Sequence, residues 1–574
     1  MLFTTGTTIS LGLLSLRTLS ASYGGLPQAN DGEYCRSQSS TSQQCLLAGS
    51  HRINFLPLNA AMYTMWMRQH NLIAGKLKQV NPTWSDEQLF QESRRIVVAQ
   101  IQHITYNEFV PVIVGKENLK KYALDLQLDG YDSRYDINVD ASTLNVYAAA
   151  VGQFFFSLLP NKITVTDSFG TNRREEPLGK TVNNPSFIYQ RNRLDAVLRF
   201  LIKTPIVNPG LHFPSDLRNT FKKVQMGRDH GIPGYLQWRR HCNLEDVHSF
   251  TSLASKLLPS VNASFIEELY GSPENIDLIV GGLAEAPQRG ALLGPTLSCL
   301  FARQMQSAKR GDRFWYENFF YPAAFSTSQL DEIRKTTLAR ILCDNADDIR
   351  FIQPNVLALQ DEYGNCPVSC SSSFLDSIDF FHWKDEEPKR ALPITKATVE
   401  KAIRLGIEQY KRLQEAERRQ IRAQALFSHA SLMAPKKESL EIAKTAGVLR
   451  EATRVLLNGA GLDEEERLPI GLDVASLQKL LPDVEVERIV ENFTPFLGKR
   501  DEPLPKEQCL PQPLPCDHTT KYRSYSGWCN NLHFPKYGNA FGALRRLLEP
   551  AYDDGVHLNF CNNYRSNKEQ ISTS

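Results

Sequence analysis

Two histidines and two short charged runs of this chain have side chains of the kinds that take part in catalysis or ligand binding. His70 and His103 both lie within apolar periodic stretches, and a lone imidazole rarely carries out catalysis without a partner. Arg228-Asp229-His230 precedes Gly-Ile-Pro-Gly, and Gly311-Asp312-Arg313 opens an aromatic run. Because charged clusters of this kind hold chain reversals and pack loops, we expect all four features to be structural.

The elements that would position these residues are mainly helices. Apolar residues recur at three- and four-residue steps between Met62 and Leu77, and similar periodicity runs from Leu89 to Ile104. This spacing predicts two amphipathic helices that face a core. Gly and Pro punctuate the connections, and alternating strand-like runs are scarce. We therefore predict a mainly α fold for the first part of the chain.

The composition allows a large core and excludes two classes of partner. At 574 residues the chain is long enough for more than one domain. Its 65 Lys and Arg against 63 Asp and Glu give a formal net charge of +2, so no overall field would gather nucleic acid or an acidic membrane surface. No run approaches the ~20 apolar residues that a transmembrane helix needs. We predict no nucleic-acid partner and no membrane span.

Cysteine spacing indicates disulfides and hence an oxidising compartment. The chain has 11 cysteines. Cys35 lies close in sequence to Cys45, and Cys516 lies close to Cys529, so each pair would close a short loop. We therefore predict these two disulfides and an extracellular location.

Two sequons and an apolar N-terminal run bear on secretion. Asn262-Ala-Ser and Asn492-Phe-Thr are glycosylation sequons, which agree with a secreted glycoprotein. The run from Ile9 to Leu16 has the composition of a signal-peptide core, but no basic residue precedes it. A cleaved signal peptide and a segment inside the first domain both remain open for this run.

Six runs follow one another in order along the first 385 residues. They are Leu46-Leu47-Ala48-Gly49-Ser50-His51-Arg52, Met62 to Ala74, Gln225-Met226-Gly227-Arg228-Asp229-His230-Gly231-Ile232-Pro233-Gly234-Tyr235, Asn275-Ile276-Asp277, Gly311-Asp312-Arg313-Phe314-Trp315-Tyr316-Glu317-Asn318 and Cys343-Asp344-Asn345. Together they resemble the animal haem peroxidase family of the myeloperoxidase and peroxinectin type. The resemblance covers roughly Gly6 to Asp385 and implies that family's helical fold.

The resemblance assigns four positions to a haem site. The family binds haem b through a proximal histidine that an asparagine orients, and a distal histidine and arginine act on the peroxide. Gln153 stands at the position of the proximal histidine, Asn275 at that of the asparagine and Arg52 at that of the arginine. Phe55 stands where the family has a glutamate that forms an ester with haem.

The same resemblance implies that this site is incomplete. The amide of Gln153 is a poor donor to ferric iron compared with an imidazole. The early helix that carries the distal histidine, a second haem ester and calcium ligands has no counterpart before Leu46. We expect haem to be absent or weakly bound, the calcium site to be lost and no other metal to bind. We expect Arg52 to be vestigial and buried against a carboxylate or carbonyls. His103 as a ligand to a displaced haem is the alternative.

The resemblance also implies further disulfides. The family's pairing adds Cys242 with Cys299 and Cys343 with Cys366. Three cysteines are then left over, Cys370, Cys509 and Cys561. An odd thiol in a secreted protein indicates an intermolecular partner or a missing piece of chain.

The chain divides into three predicted parts. Residues 1–385 form the peroxidase-like domain without its N-terminal part, and residues 386–505 form a charged helical linker whose helices we expect to be solvated, with a partner-binding coiled coil as the alternative. Within 506–574, Lys521 to Asn531 and Leu547 to Val556 resemble the start of another such domain. This order is typical of a tandem double peroxidase. A natural short form and an incomplete gene model both fit it.

These predictions lead to a peroxidase homologue that is catalytically inactive. The family reaction is the hydrogen peroxide-dependent oxidation of donors, part of the response to oxidative stress. Here we expect a pseudoenzyme that serves as a scaffold for a protein partner or an attached peroxidase domain. The alternatives are an active peroxidase with unconventional haem ligation and an incomplete product with no folded state. The sequence makes no prediction of oligomeric state.

Overall fold

The computed structural model describes residues 45–385, 401–415 and 516–552, with short gaps inside these ranges at 47, 49, 168–172, 190–191, 218–222, 321, 362–363, 413–414, 517–519 and 541. Two compact units make up the chain. The first contains Met1–Lys384 and Gln512–Ser574, and the second contains Asp385–Pro511. Cys35, Cys509, Cys561, Asn492 and the run Ile9 to Leu16 lie outside the described residues.

Helices dominate the described part of the first unit. In chain order they are α1 Pro57–Val80, α2 Asp86–Ile104, α3 Val110–Lys121, α4 Asn145–Ala149, α5 Leu178–Thr181, α6 Ser186–Tyr189, α7 Arg193–Lys203, α8 Lys223–Asp229, α9 Tyr235–His241, α10 Phe250–Ala254, α11 Ala263–Tyr270, α12 Leu278–Ala284, α13 Pro295–Arg310, α14 Thr327–Arg334 and α15 Leu338–Asn345. Short 3₁₀ helices at His51–Asn54, Val151–Leu158, Ser215–Leu217, Pro273–Asn275 and Phe380–Trp383 and a π turn at Thr105–Phe109 join them.

In the part of the chain that the structure describes, four short strands form two small antiparallel sheets. Strand β1, Lys162–Thr166, pairs with β2, Arg173–Pro177, and β3, Phe351–Ile352, pairs with β4, Val368–Ser369. Since the sheets have only two strands each, they stiffen loops and do not form a layer of the core. The predicted mainly α fold class is confirmed.

The two helices predicted from periodicity are α1 and α2. Pro57 starts α1 at its first turn, where its missing N–H removes no hydrogen bond. The Ser85 side chain caps α2 by accepting from Gln88 N, with Asp86 and Glu87 in the first turn favouring the helix dipole. The two helices pack against each other, and a Gln69–Gln100 hydrogen bond of 3.2 Å links their buried faces.

A tightly packed group of helices forms the middle of the core. Tyr235 and Trp238 of α9 are fully buried, and a Cβ at Gly281 of α12 would overlap the Tyr235 ring. The Cys242–Cys299 disulfide ties the end of α9 to α13. Glycine at 281 therefore lets α9 and α12 approach closely, and the predicted Cys242–Cys299 pair is confirmed.

The remaining cysteines give one confirmation and one correction. Cys516 and Cys529 are bonded as predicted. Cys343 is bonded to Cys370, so the predicted Cys343–Cys366 pair is wrong, and Cys366 is a free, exposed thiol. The antiparallel β3–β4 pairing is the physical reason, because it places Cys370, whose N–H donates to Arg350 O at 2.9 Å, next to the end of α15. Cys45 is also disulfide-bonded.

The second unit is described only in part. Residues 401–412 are helical, as the periodic pattern of the linker region predicts. None of the helices in the described residues is at once long enough and apolar enough to cross a bilayer.

Candidate functional site

Arg52 lies on the first 3₁₀ helix and points outward. The Ser50 hydroxyl caps this helix by accepting from Arg52 N at 3.3 Å, and the Arg52 carbonyl accepts from Asn59 Nδ2 at 3.1 Å. The residue is exposed, and its guanidinium makes no hydrogen bond or ion pair with the residues that the structure describes. The expectation of a buried and paired arginine is therefore wrong, because the short helix exposes this position to solvent.

The aromatic rings of Phe55 and Phe156 are in contact. Phe55 stands at the position where the resemblance places the glutamate that forms a haem ester. Phe55 ends the same 3₁₀ helix, its N–H donating to Arg52 O at 3.1 Å. Its ring lies edge-on to that of Phe156, with 6.2 Å between centroids and 76° between planes. Neither side chain has an atom that can form an ester or bind a metal, so this contact is apolar packing.

Gln153 lies on the 3₁₀ helix Val151–Leu158, one turn before Phe156. Its side chain is half-buried, and its Nε2 donates to the Ala148 carbonyl at 2.7 Å. Phe154 beside it is fully buried and packs on Phe155, with centroids 4.0 Å apart. The amide of Gln153 therefore helps to close the turn that leads into this aromatic run.

Asn275, the predicted orienting residue, is used locally. It ends the 3₁₀ helix Pro273–Asn275, is exposed, and donates from Nδ2 to the Tyr270 carbonyl at 3.3 Å. Among the described residues it makes no hydrogen bond to Gln153. In the structure the rings of Phe55 and Phe156 are thus in contact, and Arg52 lies on the short helix that Phe55 ends. Asn275 and Gln153 are not hydrogen-bonded to each other.

The two histidines have structural surroundings, as predicted. His70 Nε2 lies 3.3 Å from the Phe90 carbonyl, and the two rings are in contact. His103 is buried, and its Nδ1 lies 2.8 Å from the Tyr316 hydroxyl. Burial, assisted by the charge of Arg334, lowers the pKa of His103 to about 4.

The charged run at 228–230 stabilises a turn, as predicted. The Arg228 guanidinium binds both carboxylate oxygens of Asp277 at 3.0 and 2.7 Å. His230 Nδ1 lies 2.7 Å from Asn145 Oδ1. Gly231 follows with φ +59°, a left-handed conformation that favours glycine. These contacts attach the turn to α4 and to the start of α12.

No metal-binding cluster is present in the described ranges. Nowhere in them do three or more His, Cys, Asp or Glu side chains lie close enough to hold an ion.

Sequence reasoning missed two features of this region. One is Phe156 as the partner of Phe55, for which the run of three phenylalanines was the available signal. The other is Arg313, which is 1% exposed and donates to the carbonyls of Cys529 and Asn530 at 3.2 Å each. The Gly311-Asp312-Arg313 run does pack as predicted, but its partner lies more than 200 residues away.

Comparisons with known proteins agree on one family. The family described as animal haem peroxidase matches residues 6–357 and 522–574. The peroxidasin homolog of Mus musculus is 35% identical over 373 residues, 62% of this chain and 24% of that protein. Chorion peroxidase of Drosophila melanogaster is 33% identical over 376 residues, 62% of this chain and 46% of that protein. The chain therefore spans about a quarter and about half of the lengths of these two relatives.

Solved structures include a similar chain. Peroxidase A from Dictyostelium discoideum has a TM-score of 0.49 and 29% sequence identity, covering 58% of this chain and 62% of that one.

Proposed function

Because the chain belongs to the animal haem peroxidase family, we propose that it is a catalytically inactive, secreted member. In this proposal it acts as a scaffold for a protein partner or for an attached peroxidase domain. The observation that carries the proposal is the aromatic contact between Phe55 and Phe156, together with the locally used amide of Gln153.

The residues at the four assigned positions do not fit a haem held by a protein imidazole. Gln153 offers an amide in place of the imidazole, and its nitrogen is already donated to the Ala148 carbonyl. Amide oxygen is a weak donor to ferric iron compared with neutral imidazole. Phe55 has no carboxylate for an ester. At these positions the chain therefore lacks the proximal ligand and the carboxylate for one of the two haem esters of the family.

The residues on the distal side do not meet the requirements of peroxide cleavage either. Peroxide cleavage needs a base that takes the proton and a positive group that stabilises the separating charge, both in a site shielded from water. Arg52 supplies a positive group, but it is exposed, where solvent screens its charge. Among the side chains that the structure describes, no imidazole is hydrogen-bonded to Arg52. Arg52 in this setting is a surface residue.

Disulfides and an accessible sequon support the secreted location. Three disulfides lie within the described residues, and such bonds persist in oxidising compartments. Asn262 is exposed at the start of α11, where its Oδ1 caps the helix by accepting from Ser264 N at 3.0 Å. Its amide nitrogen is therefore free to carry a glycan.

Peroxidase turnover tests the proposal. The purified chain is supplemented with haem, and the oxidation of a phenolic donor by hydrogen peroxide is followed by absorbance. We expect a rate equal to that of the same concentration of free haem, because no residue at the assigned positions ligates the iron or accepts the proton. The fly chorion peroxidase is the positive control. Arg52→Leu is the matched variant, and we expect it to behave as the parent does.

Turnover well above that of free haem would contradict the proposal. If Arg52→Leu then removed that excess, the alternative of an active peroxidase with unconventional ligation would replace it.

A further inference from the structure

Residues 516–552, here called the C-terminal segment, pack on the helical body of the first unit. The body is defined as the described residues 45–384 of that unit. The segment lies beyond the second unit in sequence, yet it belongs to the same compact unit as Met1–Lys384. The prediction that 506–574 begins a second domain stays a prediction, but the contacts of the C-terminal segment are with the body.

The first anchor of the segment is Glu92 on α2. Its side chain is 2% exposed and forms ion pairs with Lys521 of the segment and, at 3.2 Å, with Arg95. The Tyr522 hydroxyl also donates to it at 2.8 Å. Burial would raise the pKa of Glu92, but the charges of Arg95 and Lys521 and the hydrogen bonds from Lys521 and Tyr522 hold it below its ordinary value. Glu92 is thus ionised and depends on the segment for part of its charge compensation.

The second anchor is the pair Asp312 and Arg313. Asp312 Oδ2 accepts from Arg523 Nη2 at 2.6 Å, and Arg313 donates to the backbone carbonyls of Cys529 and Asn530. The internal Cys516–Cys529 disulfide shapes the turn that presents these carbonyls. The body therefore binds the guanidinium of Arg523 and the backbone carbonyls of Cys529 and Asn530.

Arg94, also on α2, adds a third contact. Its Nη1 donates to the Arg523 carbonyl at 2.7 Å, and its guanidinium lies 4.5 Å from the centre of the Tyr525 ring. A cation over an aromatic ring is attracted electrostatically. The segment thus presents both charge and ring to one helix.

Hydrogen bonds between the segment and the body continue along the rest of the segment. Asn531 Nδ2 donates to Ile137 O at 2.6 Å, and Asn145 N donates to Arg545 O at 2.8 Å. Near the end of the segment, Ala551 N donates to Gly231 O at 3.1 Å. Contacts spread over three separate parts of the body, so the segment wraps the surface and does not touch it at a single point.

Loss of the segment would remove partners from two buried charged residues of the body. Arg313, 1% exposed, would lose its hydrogen bonds to the carbonyls of Cys529 and Asn530, and Glu92 would keep Arg95 but lose Lys521. Weaker compensation of a buried charge is unfavourable. The body therefore has a surface whose charges are complementary to one specific sequence of this chain.

We propose that this surface is a docking site for the C-terminal segment of the same chain, selected by the cations Lys521 and Arg523. In this arrangement the segment binds the body of its own chain, that is, in cis. A second copy that supplies the segment in trans is the competing arrangement. The inference does not depend on whether haem binds.

The test uses the full chain with both cations reversed, Lys521→Glu and Arg523→Glu. The probe is a fluorescent peptide of residues 516–552 with its disulfide formed. We expect the peptide to bind the double variant, whose own segment is released, and not the parent, whose site is filled. A peptide with the same two reversals is expected to bind neither chain. In hydrogen exchange we expect the amides of 527–540 to be protected in the parent and to exchange about 10-fold faster or more in the double variant.

Lys162→Glu is the matched control, since Lys162 forms an exposed ion pair with Glu175 far from the segment in sequence. We expect it to behave as the parent in both measurements. Lys521 and Arg523 are partly exposed, and a single cooperative thermal transition, at a lower temperature than in the parent, would show that the double variant is folded. Peptide that binds parent and double variant equally, or neither of them, would overturn the proposal. So would a parent that is dimeric by light scattering and exchanges its segment with labelled peptide.

Discussion

Replacement of Glu285 by alanine is expected to lower the free energy of unfolding by about 3–5 kcal/mol. Glu285 is buried and accepts four hydrogen bonds from three residues. Arg239 Nη1 donates at 2.6 Å and the Tyr235 hydroxyl at 2.7 Å. Thr296 donates from its hydroxyl at 2.6 Å and from its backbone N–H at 2.8 Å. Alanine would leave the Arg239 guanidinium, 4% exposed, buried without its counter-ion.

Urea unfolding followed by tryptophan fluorescence measures this effect. The control is Glu274→Ala, because Glu274 also pairs with an arginine, Arg240, but with side chains 52% and 42% exposed. An exposed pair contributes about 0–1 kcal/mol, so the control should stay close to the parent. A Glu285→Ala variant as stable as the Glu274→Ala variant would show that this cluster does not hold α9 to α12 and α13.

Simultaneous replacement of Cys343 and Cys370 by serine is expected to cost about 2–4 kcal/mol. The bond closes a sequence separation of 27 residues, and it holds the β4 loop to the end of α15. Opening it increases the conformational freedom of the unfolded chain, which is the main source of disulfide stabilisation in the chain-entropy description. Cys366→Ser should change stability by less than about 0.5 kcal/mol, because Cys366 is exposed and unbonded.

Chemical denaturation under non-reducing conditions provides the comparison, with non-reducing peptide mapping to identify the bonded pair. The reverse outcome, a large loss for Cys366→Ser and a peptide that links Cys343 to Cys366, would restore the pairing implied by the family.

Hydrophobic periodicity predicted two helices of the first unit, α1 and α2. Periodicity, Pro57 and the Ser85 cap all act within a few residues, so α1 and α2 follow from short-range preferences and an apolar face. The choice between Cys366 and Cys370 depends instead on how β3 pairs with β4, a contact that sequence spacing does not encode. Prediction from the chain alone therefore reached the elements but missed this connection between them.

The order of motifs assigns Arg52, Phe55 and Gln153 to a site, and this assignment stays a prediction. The contact of Phe55 with Phe156 was not predicted, because it depends on local winding. In a 3₁₀ helix, residues three apart lie on one face, so Gln153 and Phe156 occupy one side of the Val151–Leu158 helix. The exposure of Arg52 likewise follows from tertiary placement of its short helix.

The position of the C-terminal segment on the body could not be predicted from the local sequence either. The resemblance of Lys521 to Asn531 to the start of a domain gave no indication of where that stretch would bind. Its position on the body depends on Glu92 and Arg313, which are distant in sequence and both contact the segment only after folding. Charge complementarity across such distances cannot be read from composition, since the net charge of +2 hides it.

Haem titration of the purified chain tests whether an imidazole holds iron in this protein. Absorbance in the Soret region and the thermal transition are recorded together, because a ligand that binds the native state raises the melting temperature by an amount that grows with the logarithm of its concentration divided by its Kd. We expect a cooperative transition without haem, an unchanged melting temperature with it, and no saturable Soret shift. A stoichiometric Soret band with the magnetic resonance signature of a nitrogen-ring ligand, accompanied by a higher melting temperature, would contradict the inactive scaffold proposed for this chain.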